Sequence, residues 1–422
     1  MGRIQDSKLL NNWKIFTLQE MLDNGIILSH LDGNHGGLYP NKDEFVESGV
    51  PYISANCIVD GEVDFSKSKY LSEKRASAFS KGVAKHEDVL FAHNATVGPV
   101  AILRTDLDFV ILSTTVTYYR CNKDYLLPNY LRLYLISDFF VNQYTEVMKQ
   151  ATRNQVPITK QRTFFHLIPP LAEQQCIVSI LDEAFAAIAS AKANAEQNLK
   201  NAKELFDVYL HRYYTSKENG WGEKKLKEIA EYFNGLTYSP DDVSEQGIIV
   251  LRSSNVQNDQ LDFDDIVRVD LKVKDKIIVK EGDILMCSRN GSKRLVGKTA
   301  TIKDLEEEMT FGAFMMIIRS EYNPYLSWFF KSTDFRKQIS GGENTMINQI
   351  TRYMLDDVVL SFPPIDIQDE IVQKLDALST ETKRLEAIYQ QKIADLEELK
   401  KSILQKAFNG ELKISEPLLV AD

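Results

Sequence analysis

Two segments of the sequence decide the fold: IPPLAEQQCIVSILDEA at residues 168–184 and FPPIDIQDEIVQKLDAL at residues 362–378. The residues they share lie 194 positions apart: Pro169 and Pro363, Pro170 and Pro364, Gln174 and Gln368, Ile177 and Ile371, Val178 and Val372, Leu181 and Leu375, and Asp182 and Asp376. Self-similarity at a fixed long period indicates a duplicated structural unit.

The similarity continues upstream of these segments in the same order. Asn154-Gln155 corresponds to Asn348-Gln349, and Asp88 corresponds to Asp283. Each copy also opens on a tryptophan that is followed five residues later by a leucine, which are Trp13 with Leu18 and Trp221 with Leu226. A collinear series of this kind predicts that the chain contains two copies of one unit. In each copy, short β-rich runs separated by Gly, Asn and Ser turns precede a long helix.

The Pro-Pro pairs mark the starts of the two helices, because proline suits a first helical turn where its missing N–H has no partner. Apolar residues then recur at alternating spacings of three and four, which is coiled-coil periodicity. The first seam, interrupted once by Asn198, comprises Ile177, Leu181, Ala184, Ile188, Ala191, Ala195, Ala202, Leu205 and Tyr209. The second, broken by Thr382 and Lys392, comprises Leu375, Leu378, Leu385, Tyr389, Leu396, Leu399 and Ile403.

These seams predict two helices of roughly 37 residues, each about 55 Å long at 1.5 Å per residue. Two such helices in one chain most simply pair antiparallel, with a globular unit near each end. The alternative is a pair of surface helices that never meet.

Composition bounds the class of protein. The 422 residues predict two to three domains, with 44% hydrophobic residues available for their cores. The formal net charge of −10 argues by itself against a nucleic-acid partner, so any basic surface must be local. The four cysteines form no CxxC pair, the N-terminal segment lacks the apolar core of a signal peptide, and no apolar run approaches a membrane span. We therefore expect a cytoplasmic protein with reduced thiols.

The sequence lacks the common catalytic patterns. Gly291 and Gly297-Lys298-Thr299 resemble a phosphate-binding loop, but five residues separate the glycines where that motif needs four. The Pro-Pro pairs lack the preceding Asn or Asp of DNA amino-methyltransferases, and the acidic runs at 262–265 and 306–308 are typical of solvated loops. His30 and His35 are five residues apart and do not share a helix face as zinc ligands would. We therefore predict no catalytic residue and no metal site.

Several polar loops have the character of nucleic-acid contacts, since Arg pairs with guanine and Asn or Gln with adenine in the major groove. Each loop alone could be ordinary turn chemistry, but they recur at matching places in both copies. In the first copy the candidate DNA-binding residues are Ser54, Asn56, His93, Asn94, Thr96, Arg153, Asn154 and Gln155. In the second copy they are Arg252, Ser253, Asn255, Ser288, Arg289, Asn290, Lys293, Arg294, Asn348 and Gln349.

With its paired tryptophans, its VGK-like turn and above all its twofold Pro-Pro/Gln/helix element, the chain resembles the specificity subunits of Type I restriction-modification systems. The resemblance covers essentially the whole sequence. It implies an α+β fold in which two similar mixed α/β target-recognition domains are separated by two long antiparallel coiled-coil helices, as a pseudo-two-fold repeat. The expected bounds are 1–168 and 217–362 for the recognition domains, 169–216 and 363–412 for the spacer helices, and 413–422 for a tail.

The resemblance also implies a function and partners. Each recognition domain would read one half of a split double-stranded DNA target. The helices would dock two methyltransferase subunits, and motor-nuclease restriction subunits would join the complex. The chain itself would hold no cofactor, with S-adenosylmethionine, ATP and Mg²⁺ on the partner subunits. One departure is Ile367, which stands where the first copy has Glu173.

Two other classes of function remain open from the sequence. The chain could be a DNA methyltransferase or nuclease whose site follows an unfamiliar pattern. It could also be a coiled-coil scaffold that binds only proteins.

Overall fold

The computed structural model describes residues 12–33, 39–150, 154–215, 221–340 and 349–412. Contacts divide the chain into two compact units. Unit 1 comprises residues 1–194 and 392–422, and unit 2 comprises residues 195–391. Both divisions fall inside the two long helices, so each unit consists of one globular part and a portion of each helix.

Unit 1 contains a four-stranded antiparallel sheet and a five-stranded mixed sheet. The four-stranded sheet has the order Thr96–Ile102, Val89–Asn94, Val116–Cys121 and Ile27–Asp32. The five-stranded sheet has the order Phe45–Val46, Lys69–Leu71, Val50–Ile53, Val110–Leu112 and Val83–Ala84. Two antiparallel pairs complete the strands: the short hairpin of Ile58–Val59 with Glu62–Val63, and the first strand Lys14–Thr17 with the last strand Phe165–Ile168. The short helices are Leu18–Asp23, Glu73–Ala76, Pro128–Leu135, Asp138–Lys149 and Ile158–Gln161.

Unit 2 repeats this plan with fewer strands. Its four-stranded antiparallel sheet has the order Glu231–Asn234, Met315–Arg319, Ile284–Cys287 and Thr299–Thr301. A three-stranded sheet has the order Arg268–Val269, Val243–Leu251 and Met309–Phe311. Two further pairs join Val256–Gln257 to Gln260–Leu261 and Gly222–Lys225 to Val359–Phe362. The short helices are Asn323–Phe329, Thr333–Ser340 and Arg352–Asp356.

A buried ion pair at the four-stranded sheet of each unit shows the duplication at atomic detail. Asp88 in unit 1 accepts two hydrogen bonds from the Arg120 guanidinium, at 2.9 and 2.7 Å. Asp283 in unit 2 is held by Arg319 in the same bidentate way, at 2.8 and 2.5 Å. Both carboxylates are only 2% exposed, and each also accepts a backbone N–H three residues upstream. Burial is the largest influence on the Asp88 carboxyl and raises its pKa. The hydrogen bonds from Arg120 and from the Lys85 N–H oppose that shift.

The segments that decide the fold are duplicated in the same way. The hydroxyls of Tyr130 and Tyr325 donate to backbone carbonyls of the strand just before each Pro-Pro pair, at 2.8 and 2.9 Å. Gln174 and Gln368 turn back from the first helical turn and donate to the carbonyls of Pro169 and Pro363, at 2.9 and 2.8 Å. The two shared glutamines therefore tie each long helix to the strand that precedes it.

The exchange of Glu173 for Ile367 has a local explanation. Glu173 accepts a hydrogen bond from Trp13 Nε1 at 2.9 Å, whereas Ile367 and Trp221 are both half-buried against the apolar core of unit 2. One copy secures its opening tryptophan with a hydrogen bond, and the other packs both residues against that core.

The two long helices span Leu171–Thr215 and Ile365–Phe408, with 45 and 44 residues. They are longer than the roughly 37 residues predicted, because the apolar periodicity ends before the helices do. Each final turn is held by an aromatic residue of its helix, Tyr214 in unit 2 and Phe408 in unit 1, that packs on the globular part.

Within each unit the two helices meet and run antiparallel. In unit 1, Lys192 pairs with Glu397, and Lys400 lies over the ring of Phe185 at 5.1 Å from its centroid. In unit 2, Lys203 lies 3.7 Å from Glu386. From Phe185 to Lys192 the first helix advances while its contacts on the second helix go back from Lys400 to Glu397. The predicted antiparallel pairing is therefore confirmed.

The predicted seam is wrong at its end. Leu205 and Tyr209 are 53% and 43% exposed, and the buried positions there are Leu210 and Tyr214, with Phe206 half-buried. Leu399 of the second seam is likewise 46% exposed. The end of the first helix packs on a different surface, because Phe206 contacts Trp328 and Tyr214 contacts Tyr325 in the globular part of unit 2.

Candidate nucleic-acid interface

Three polar loops of unit 1, which are far apart in the sequence, meet around Thr115. The loop at 54–56 reaches it through the Ala55 N–H, which donates to Thr115 Oγ1 at 3.0 Å. The loop at 93–96 reaches it through the His93 N–H, which donates to Thr115 O at 3.0 Å. The segment at 154–155 joins the second loop by a bridge between Asn94 and Gln155. The structure thus brings together loops that the sequence analysis proposed separately.

Unit 2 has the same arrangement around Phe314. The backbone N–H groups of Ser288 and Arg289 both donate to Phe314 O at 3.0 Å. Asn290 Nδ2 donates to Ser253 Oγ at 3.0 Å, which connects the loop at 288–294 to the loop at 252–255. A bridge between Arg289 and Gln349 matches the bridge between Asn94 and Gln155 of unit 1. We call Thr115 and Phe314 the junction residues of their units.

Three of the proposed contact residues are buried and anchor the loops, and a fourth is paired with a carboxylate. His93 and Ser288 are 1% and 7% exposed and occupy matching positions, where the His93 ring donates to Val156 O and Ser288 Oγ donates to Phe314 O. Asn255 is 1% exposed, and its amide accepts the Arg252 N–H and donates to the carbonyls of Asp262 and Asp265. Arg252 is bound to Asp265 at 2.7 Å. The three buried side chains are not presented to a ligand and act as positioning groups, whereas the Arg252 side chain is 32% exposed.

Other proposed residues are used partly within the protein. Asn154 donates through Nδ2 to Ala95 O at 2.7 Å, and Ala95 N–H donates back to Asn154 O at 3.0 Å. Asn290 accepts the Ser292 N–H as well as donating to Ser253 Oγ. Ser54 Oγ donates to Asn56 Oδ1. These bonds hold the loops in shape while leaving the backbone turn accessible.

The remaining candidates face outward. Asn56, Thr96, Arg289, Lys293, Arg294 and Gln349 are exposed, and Asn94 and Gln155 are half-buried. Among the residues that the structure describes, neither Lys293 nor Arg294 is within 4.0 Å of a carboxylate oxygen, so both cations are available to an anionic ligand. Arg153 and Asn348, which we also proposed, lie outside the described residues.

Sequence reasoning missed both junction residues and one exposed tyrosine. Phe314 is 59% exposed and stands two residues after Gly312, and Tyr353 is 83% exposed four residues after Gln349. A large aromatic side chain that follows a glycine turn between two strands is a usable signal, because turns there favour small polar residues. Nothing in the sequence singles out Thr115.

The segment that resembles a phosphate-binding loop leads into a β-strand and not into a helix. Gly297 adopts φ +81° and its N–H donates to Cys287 O at 2.8 Å, after which the strand Thr299–Thr301 begins. A phosphate-binding loop requires free N–H groups at the start of a helix. The geometry therefore agrees with reading this segment as a turn.

A buried polar cluster supports the loops of unit 1. Gln161 is fully buried, and its Oε1 accepts hydrogen bonds from Tyr119 and Thr117, with His30 Nε2 at 3.1 Å. Its Nε2 donates to Val156 O at 3.0 Å, next to the bridge at Gln155. Desolvation lowers the pKa of His30 to about 3. His30 is therefore neutral at physiological pH and serves as part of the core.

Two searches of the described residues bear on other classes of protein. Within that part of the chain, no three His, Cys, Asp or Glu side chains are grouped so that they could hold a metal ion. None of the helices described is both long and apolar enough to cross a bilayer.

The chain has two related α/β units. Each unit has three polar loops that meet at a junction residue, and each contains part of both long helices. This is the organisation of a protein with two recognition units. Comparison with known proteins agrees. The sequence profile of the Type I restriction modification DNA specificity domain matches residues 11–201 and 218–397. The chain therefore belongs to this family, whose members supply the DNA-sequence recognition of Type I restriction-modification systems.

Several individual proteins are similar. The EcoKI specificity subunit of Escherichia coli K12 is 29% identical over 58% of this chain and 57% of its own length. The StySPI specificity subunit of Salmonella potsdam is 25% identical over 86% of this chain and 82% of its own length. The match thus spans just over half of the first relative and most of the second.

The fold is shared with solved structures. A chain from a Type I restriction-modification system superposes with a TM-score of 0.77, at 20% identity, over 96% of this chain and all of the other. The HsdS subunit from Thermoanaerobacter tengcongensis superposes with a TM-score of 0.63, at 21% identity, over 96% and 99% of the two chains.

Proposed function

We propose that each unit reads one half of a bipartite double-stranded DNA sequence through its three polar loops. The observation that carries this proposal is the convergence of loops from distant parts of the chain at matching positions in both copies. Their side chains supply the amide and guanidinium groups that pair with base edges, and the positive charges that neutralise phosphates. The acidic average of the chain does not oppose this, because the exposed cations Arg289, Lys293 and Arg294 lie within one loop.

We infer the function of each segment of the chain from the positions of the polar loops and the long helices. Residues 1–168 and 217–362 act as the two recognition domains, and residues 169–216 and 363–412 act as the helical spacer. The tail expected at residues 413–422 lies outside the described residues. The chain recognises DNA without a catalytic residue of its own. S-adenosylmethionine, ATP and Mg²⁺ belong to partner subunits.

The long helices are the proposed docking site for the methyltransferase subunits, and restriction subunits join the assembled complex. In unit 2, Leu205, Val208 and Tyr209 form an apolar strip on the first long helix that is 43–63% exposed. These residues follow the spacing of one helix face. An apolar strip rimmed by charged side chains is typical of a surface that a protein partner covers.

The test is DNA binding by the chain assembled with its methyltransferase subunits. Replacing Lys293 and Arg294 by alanine should weaken binding to every sequence alike and reduce the slope of log K against log salt by about two if both contact phosphate. The charge-matched control replaces Lys272 and Lys274, exposed lysines of unit 2 outside the polar loops, and should leave that slope unchanged.

Three results would contradict the proposal. An unchanged salt slope in the double variant would remove the loop at 288–294 from the interface. Methyl transfer by the chain without partners, given DNA and S-adenosylmethionine, would show that it is itself an enzyme. A protein scaffold would bind the methyltransferase subunits but add no sequence preference to them.

A further inference from the structure

Two matching positions at the junctions carry different side chains in the two units. Asn94 follows the buried His93 in unit 1, and Arg289 follows the buried Ser288 in unit 2. The junction residue is Thr115 in unit 1 and Phe314 in unit 2. Their equivalence follows from the hydrogen bonds, since His93 N–H donates to Thr115 O as Ser288 N–H donates to Phe314 O. The backbones are therefore alike, and the difference lies in the chemistry offered to a ligand.

Phe314 is held in place while its ring remains open to solvent. Its carbonyl accepts three hydrogen bonds at 3.0 Å, from the Ser288 N–H, the Ser288 hydroxyl and the Arg289 N–H. Its side chain is 59% exposed and belongs to none of the hydrophobic clusters formed by the described residues. The ring therefore contributes little to folding at a site that the backbone fixes firmly.

Arg289 lies beside this ring. Its guanidinium carbon is 5.7 Å from the centroid of Phe314, within the range of a cation–π contact. Arg289 is exposed, and no carboxylate of the described residues lies within ion-pair distance of it. The ring limits the conformations of the arginine, so less freedom is lost when its donors engage a ligand.

We propose that Arg289 and Phe314 are the specificity-determining pair of unit 2, and that they select a guanine next to a thymine in the major groove. The guanidinium matches the O6 and N7 acceptors of guanine, and the phenyl ring packs on the 5-methyl group that distinguishes thymine. Unit 1 has Asn94 and Thr115 at these places, so this preference belongs to unit 2. The inference rests on the proposed function and adds the bases that one unit selects.

The test removes single groups from the DNA. Modification mapping of the assembled wild-type complex first gives its target. Each thymine of both half-sites is then replaced in turn by deoxyuridine, which lacks only the 5-methyl group. Wild-type complex should lose about fourfold in affinity at one thymine beside a guanine, the value for one buried methyl group. Replacing that guanine by 7-deazaguanine should weaken wild-type binding, and Arg289→Gln should no longer respond to the replacement.

Phe314 variants complete the test. Phe314→Ala should bind thymine and deoxyuridine duplexes equally, whereas Phe314→Leu should retain part of the discrimination. Phe263→Ala removes another exposed phenylalanine of unit 2, outside the polar loops, and should behave as wild type. Discrimination that persists in Phe314→Ala, or a target with no methyl-sensitive thymine, overturns this inference alone. A wild-type complex without any sequence preference overturns the proposed function as well.

Discussion

At the scale of single residues, the two buried ion pairs show why the duplicated unit keeps one architecture while its loops change. The pair of Asp88 and Arg120 lies at the four-stranded sheet of unit 1, and the pair of Asp283 and Arg319 lies at that of unit 2. Both carboxylates are shielded from water. A buried charge is tolerated only when it is paired and hydrogen-bonded. Each pair therefore constrains the sheet behind the loops without restricting the loop residues.

This constraint predicts a large effect of removing either arginine. Arg120→Met and Arg319→Met should each lower the free energy of unfolding by about 3–5 kcal/mol, because an uncompensated carboxylate is left in the interior. Arg104→Met serves as the control, since its pairing with Glu87 is half exposed and should contribute less than about 1 kcal/mol. Equilibrium denaturation of the three variants measures the difference, and equal losses in all three would show that burial of the pairs has no energetic role.

Residue chemistry also marks the limit of what the sequence could predict. Asn255 and His93 have the side chains of base-reading residues, yet the fold buries both. Whether such a residue turns inward depends on neighbours that are distant in sequence, such as Val156 for His93. The importance of Thr115 depends on three segments that meet only in the folded chain. Pattern and residue type identified the loops, but they could not separate anchors from contacts.

At the scale of elements, periodicity predicted the two long helices and their antiparallel pairing, but only part of their buried face. The predicted seam residues that are buried are Ile177, Leu181, Ile188, Ala195 and Leu375. The first helix departs from the prediction where it stops packing on the second helix and packs on the globular part of unit 2. From Phe206 onward it packs on the globular part of unit 2, with the ring of Phe206 5.6 Å from Trp328 and that of Tyr214 4.9 Å from Tyr325. A pattern derived from helix pairing cannot anticipate a face that a different surface selects.

The stability of two leucine variants tests which face of the first helix is buried in unit 2. Leu210→Ala should lower the free energy of unfolding by about 2–5 kcal/mol, because Leu210 is only 2% exposed in the core of unit 2. Leu205→Ala removes the same atoms from a side chain that is 53% exposed and should change stability by no more than about 0.5 kcal/mol. Chemical denaturation of the chain gives both values. A larger loss of stability in Leu205→Ala than in Leu210→Ala would support the seam that the heptad pattern predicts.

At the scale of the whole molecule, the duplication produces two self-contained cores. Apolar residues of the first long helix, such as Ile177 and Leu181, belong to the core of unit 1, whereas Leu210 and Tyr214 belong to that of unit 2. The second helix divides its side chains in the same way, with Ile371 and Leu375 in unit 2 and Phe408 in unit 1. Recognition by one unit can therefore change while the packing of the other stays intact.

Each globular part is also closed by its own first and last strands. Lys14 pairs with Ile168 in unit 1, and Gly222 pairs with Phe362 in unit 2. Because Gly222 and Phe362 are neighbours across one antiparallel ladder, residues 221–362 leave and rejoin the helices at one place. Such a segment can be exchanged without altering the ends that hold it.

The last prediction is that the two halves of the DNA target can be changed independently. Replacing residues 221–362 by the matching segment of a relative should alter one half of the modified sequence and leave the other half and the gap unchanged. The graft must keep residues shaped like Tyr325 and Trp328, because these contact Tyr214 and Phe206 of the retained helix. Modification mapping in cells that carry the partner subunits gives the result, and the reciprocal exchange of residues 13–168 is the matched control. If either exchange altered both halves together, the units would not be independent readers, and the polar loops of one unit would have to act through the other.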